Sequence, residues 1–102
     1  MKLNMYAIQD VQAEVFMRPM YFNTSGMAER EFLRALLNEQ NISSFPADYV
    51  LYLVGQWDDE TGLLEGNVPV RICTGTELLL KRQDDVDRLK KLHEEIAEIQ
   101  EG

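Results

Sequence analysis

The side chains of this chain best able to do chemistry form two sets. Asp58, Asp59 and Glu60 are three consecutive acids set between Trp57 and Thr61-Gly62, while Cys73 and His93 are the single cysteine and the single histidine. Three carboxylates can hold a calcium ion, but a calcium loop spreads its oxygen ligands over alternating positions and closes on a late Glu. Adjacent acids diverge, and the next one here is Glu65. General acid–base work needs two carboxylates in unlike surroundings, and a solvated turn makes them alike. Turn chemistry accounts for every residue: Asp59 suits the first position of a type I turn and Gly62 the fourth. Cys73 and His93 fall on different elements with no third group to orient them. A lone His without a second His or a nearby Cys also lacks metal-ligand spacing. Phosphate-cradling glycine motifs are missing too. The expectation is a non-enzyme with no metal and no cofactor.

Binding is the other option. Single-stranded nucleic acid is held by aromatic faces beside a basic track. Residues 16–22 supply Phe16, Arg18, Tyr21 and Phe22, and a later strand supplies Arg71. Arg18, Tyr21, Phe22 and Arg71 are therefore the candidate DNA contacts. Tyr49, Tyr52 and Trp57 join them if their strand has an open face; otherwise these rings fill the core of a small domain. Charge weighs against a bulk electrostatic binder. The net charge is −8, divided as −2 over residues 1–57 and −6 over residues 58–102. An acidic surface repels phosphates at long range.

The elements that must position these residues follow from pattern. Residues 3–8 read as a strand with Tyr6 and Ile8 on one face and Met5 and Ala7 on the other, both apolar enough for a covered position. Residues 11–22 are less regular, and Pro19 breaks pairing there. Residues 23–26 are a turn and helix start. In residues 27–40, Ala28, Phe32, Ala35 and Leu36 form the stripe of an amphipathic helix that ends over residues 38–44. Residues 49–57 are a strand apolar on both faces. A second strand begins near Leu63-Leu64, breaks at Gly66-Asn67 and resumes over residues 68–73, where Pro69 marks an edge or a bulge. There Val68, Val70 and Ile72 face one way, and Pro69, Arg71 and Cys73 the other.

Thr74-Gly75-Thr76-Glu77 is a capping box that opens a helix, and residues 83–85 leave two alternatives, one continuous helix or a second one restarting at Asp84 or Asp85. In the last segment Leu89, Leu92, Ile96 and Ile99 form a stripe for an oligomer or partner interface. The sum is a small α+β domain of order β-α-β-β-α, with a core over residues 1–75 and a helical extension over residues 76–102. No apolar run reaches the ~18 to 20 residues of a membrane span. The N-terminus is too polar for a signal peptide. One cysteine permits no internal disulfide. A soluble protein of a reducing cytoplasm is expected.

Met1–Phe16, the A-x-R-x-F of residues 28–32, the F-P-A-D-Y-x-L-Y-x-V-G-x-W-D-D-E-T-G of residues 45–62 and Pro69 together resemble the small non-structural proteins of gokushovirus-type microviruses, which are single-stranded DNA bacteriophages. The likeness covers residues 1–75. It implies a DNA-binding or replication-associated accessory protein working in the host cytoplasm at single-strand synthesis or packaging. Single-stranded DNA, viral or host replication proteins and further copies of the chain are its expected partners. It carries over no catalytic residue. The alternative is an acidic adaptor or inhibitor of a replication factor that touches no DNA.

Overall fold

The computed structural model describes residues 1–101. Nine elements follow β1 (Lys2–Asp10), β2 (Val15–Phe16), β3 (Met20–Phe22), α1 (Ser25–Asn38), α2 (Gln40–Ser44), β4 (Tyr49–Asp58), β5 (Leu64–Thr74), α3 (Gly75–Lys81) and α4 (Gln83–Glu101), with a 3-10 turn at Pro46–Asp48. The architecture is α+β, an antiparallel sheet with helices on one side. β1 and β4 are the inner strands, β5 pairs with the outer side of β4, and β2 and β3 share the outer side of β1.

The core is built from alternate residues of the inner strands. Tyr6 and Ile8 of β1, Leu51 of β4 and Cys73 of β5 meet Ala28, Phe32, Leu33 and Leu36 of α1, Ile42 of α2, Leu78 of α3 and Val86 of α4. All four helices thus send their buried side chains to the same side of the sheet. Leu78 and Val86 of the helical extension dock into this core. Thr24 caps α1 by accepting from the Met27 amide at 3.3 Å. α1 stops at Asn38, where Glu39 turns extended, and the short α2 carries Ile42 back to the core. This helical turn lies inside a stretch whose pattern signals only a helix end.

Both outer margins of the sheet are irregular, and each irregularity contains a proline. The segment over residues 15–22 is one interrupted edge: Val15 and Phe16 pair with Asp10 and Gln9, and Met20, Tyr21 and Phe22 with Tyr6, Met5 and Asn4. Met17, Arg18 and Pro19 intervene, and the register slips by one residue across them. On the other margin Leu53 pairs with Val70 but Gly55 with Gly66, so Asn67, Val68 and Pro69 bulge out. The Asn67 amide side chain donates to the Leu53 carbonyl at 3.1 Å, taking over a ladder bond the bulge removes. β5 is therefore continuous across Gly66-Asn67, in place of the expected break, and Pro69 is at once on an edge and in a bulge.

Arg82 separates α3 from α4 with φ −112° and ψ 35°. The expected capping box is formed: the Thr74 hydroxyl accepts from the Glu77 amide, and the Glu77 carboxylate accepts from the Thr74 amide.

Candidate functional site

The sheet face turned away from the helices carries the arrangement with most functional content. Cross-strand partners share a face, and the pairs Leu3–Trp57, Met5–Tyr21, Ala7–Tyr52, Gln9–Phe16 and Tyr52–Arg71 assign these residues to the side opposite the core. No helix contributes a buried side chain there. Two aromatic pairs stand on it: Phe16 meets Tyr52, and Tyr21 meets Trp57, each edge to face with ring centroids 5.5 Å apart. In both pairs the rings come from strands separated by β1. Strands lie ~4.8 Å apart, so the rings lean over β1 to touch. Ala7, small enough to pass beneath, is buried. Phe16 and Tyr21 are 45% and 43% exposed, which leaves ring surface open to a ligand.

Two register slips create this face. Tyr52 and Trp57 are five residues apart, as are Phe16 and Tyr21, and strict alternation would put the members of each set on opposite faces. Val54 is an extra residue in β4, between Leu53 paired with Tyr6 and Gly55 paired with Met5. It resets the alternation for Trp57. The slip across residues 17–19 does the same for Tyr21.

The four candidate DNA contacts divide between the two faces. Tyr21 and Arg71 lie on the open face. Phe22, paired with Asn4, packs against the core beneath α1. Arg18 lines a cavity with Ile8, Met20, Glu31 and Ile42 on the helix side. Tyr49 is buried in the core. Tyr52 and Trp57 take the places the sequence reserved for them on an open face, and Phe16 joins them. Arg71 and Cys73 are on opposite faces, not the same one, because Ile72 is an extra residue between the Leu51–Cys73 and Tyr52–Arg71 pairs.

Arg71 is the one cation among these face residues, and it forms an ion pair with Glu77. Each holds the other charged: the Arg71 guanidinium, and next the Thr74 amide, lower the Glu77 carboxyl below its ordinary value, and Glu77 raises Arg71.

The acidic tip closes on itself. The Gly62 amide donates to the Asp58 carbonyl at 2.8 Å, and the Asp58 carboxylate accepts from the Glu60 and Thr61 amides. The reversal thus runs from Asp58 to Gly62, one residue earlier than expected. Asp58 takes the turn-forming role because its carboxylate reaches the amides two and three residues on. These bonds, the Glu60 amide first, lower its pKa. Gly62 has φ +75°, a conformation favouring glycine. Asp59 and Glu60 approach the Met1 ammonium at 2.7 and 3.4 Å. Among the described residues no group of three or more His, Cys, Asp or Glu side chains is placed to hold a metal ion. Cys73 is buried and its thiol is pushed up to about 11, mainly by burial, while His93 is exposed on α4.

On the stripe of α4, Leu89 packs against the core, and Leu92, Ile96 and Ile99 are exposed. No helix among the described residues is long and apolar enough to cross a membrane.

Residues 3–78 match the family described as Phage ORF5 protein. No curated protein and no solved structure matches the chain.

Proposed function

Since the chain belongs to the Phage ORF5 protein family, we propose that it is a non-catalytic accessory protein of single-stranded DNA replication or packaging in a gokushovirus-type microvirus. It acts in the host cytoplasm, and its open sheet face holds unpaired bases. The observation that carries this reading is the pair of aromatic contacts, Phe16–Tyr52 and Tyr21–Trp57, on a face without helices. Bases stack on such rings with little regard to sequence, at ~1–3 kcal/mol each. Arg71 stands beside Tyr52 for a phosphate. With one cation on the face, stacking carries the affinity. Binding then weakens only slightly with salt, with a logarithmic slope near −0.7 for the single phosphate neutralised.

Trp57 is the sole tryptophan and reports on this face directly. Titration with an oligothymidine at low salt is expected to quench its fluorescence with a Kd of roughly 1–100 µM. Tyr52→Ala weakens binding about tenfold, in line with the loss of one stacked base. Unchanged fluorescence and unchanged mobility of the oligonucleotide at 100 µM protein, roughly the weak end of that range, reject the reading.

The net charge of −8 and the engagement of Arg71 by Glu77 favour a second reading. In it the same apolar face docks a viral or host replication protein and no DNA. Nuclease-resistant recovery of one protein partner from infected cells, lost in Tyr52→Ala, separates the two.

A further inference from the structure

The helix side of the molecule holds a concentration of arginines that the acidic total conceals. A groove of about 310 Å³ between α1 and α4 is lined by Arg30, Arg34, Arg82 and Arg88, with Leu33 and Leu89 as its apolar part. Four of the chain's ten basic residues thus meet in one place. Asp85 sits among them and bonds Arg82 at 3.4 Å and Arg88 at 2.8 Å, Glu29 reaches Arg82 at 3.5 Å, and Glu31 bonds Arg34 at 2.9 Å. Arg30 makes no ion pair among the described residues.

The outer half of α4 has the opposite character. Residues 92–101 contain Glu94, Glu95, Glu98 and Glu101 and no Lys or Arg. Val86 is buried and Leu89 partly so, whereas Leu92, Ile96 and Ile99 continue the same stripe with 48%, 45% and 79% exposure. This half of the helix projects from the body. The radius of gyration is 15.5 Å, against ~13 Å for a compact chain of this length, and the longest extent is 51 Å. An isolated helix of so few turns is marginal in water.

We propose that a second copy of this chain covers both features, the two α4 helices running antiparallel across a two-fold axis. With the axis near Glu94, Leu89 faces Ile99 of the second copy and Leu92 faces Ile96. The acidic end of each α4 then lies along the arginine groove of the other copy, over Arg30, Arg34 and Arg88. Charge selects this direction. A parallel pair would set Arg88, Lys90 and Lys91 against themselves and the four glutamates against themselves. The interface is isologous and buries the exposed stripe of both copies.

A charge-swap experiment decides the matter. Sedimentation equilibrium of the whole chain is expected to show the 11.8 kDa mass doubling with concentration. Arg30→Glu with Arg34→Glu makes groove and helix end both acidic; Glu95→Arg with Glu98→Arg makes both basic. Each variant alone is expected to stay monomeric, and an equal mixture of the two to recover the doubled mass. Tyr52→Ala, on the other face, leaves the mass of the native dimer unchanged. Far-UV circular dichroism establishes that each variant is folded. Should one fail to fold, the milder Arg30→Gln and Glu98→Gln are each expected to weaken dimerisation severalfold. A wild type that stays monomeric at several hundred micromolar overturns the proposal. So does a dimer indifferent to these substitutions, or a mixture that fails to associate. Oligonucleotide binding abolished by the arginine variant in a monomeric wild type would assign the groove to phosphates instead.

Discussion

Arg71 and Glu77 set a limit on the open face, because the carboxylate occupies the guanidinium a phosphate would use. Glu77→Gln separates the two functions of this residue, since glutamine still serves the capping box. Under the DNA reading, the variant is expected to bind an oligothymidine about two- to fivefold more tightly, the scale of one exposed ion pair. Fluorescence of Trp57 measures it. The pH dependence has a definite sign. Arg71 depresses the Glu77 pKa, so the pair's stabilisation is present above the ordinary carboxylate value and is lost as pH falls through the depressed one. Acid therefore frees Arg71 in the wild type and makes no such difference in Glu77→Gln. Cys73 contrasts with these exposed groups. Buried and pushed up to about 11, its thiol is expected to resist alkylation at pH 8 until urea unfolds the chain. Rapid labelling of the native protein would contradict that burial.

At the scale of elements, Gly75 shows how closely α3 is seated. A Cβ there would run into the Pro46 carbonyl and lie 2.7 Å from the Leu36 Cδ2. Gly75→Ala is expected to lower stability by roughly 1–3 kcal/mol, read from the urea midpoint, since neither neighbour is a free side-chain end. The elements themselves were largely legible. The stripe of residues 27–40, the apolar run of residues 49–57 and the Thr74–Glu77 box each announce a local structure through periodicity or capping. What pattern could not supply was parity. A single extra residue at Val54 reverses the faces of everything after it in β4, and the slip over residues 17–19 does so in the edge segment. Tyr21 and Phe22 look equivalent in sequence, yet one is on the open face and the other against the core. A Gly in a strand, such as Gly55, signals a nearby irregularity but not its direction.

For the molecule as a whole, charge is organised by side. Among the described residues, the paired positions of the aromatic face include one cation, Arg71, the arginine groove has four, and the outer end of α4 carries a run of glutamates. This sorting was hidden in the sequence because Arg30 and Arg34 are some fifty residues from Arg82 and Arg88, and only the packing of α1 beside α4 brings them together. The two proposed interfaces are expected to answer differently to salt. The groove–helix contact would join several opposite charges and should weaken steeply as ionic strength rises, whereas stacking on the aromatic face should hardly change. A dimer that leaves the sheet face uncovered would present two aromatic surfaces from one assembly, so two modest affinities for one strand add through effective concentration.

The prolines at the two margins bear on what such an assembly can become. Exposed strand edges ordinarily let a sheet recruit further strands without end. Here Pro19 and Pro69 each sit where an outer strand is already bowed away from its neighbour. Each proline removes a ladder donor and interrupts its margin, so a further strand could not pair along the full length of either edge. The proposed association would then run through faces and helix ends, where symmetry closes it after a countable number of copies.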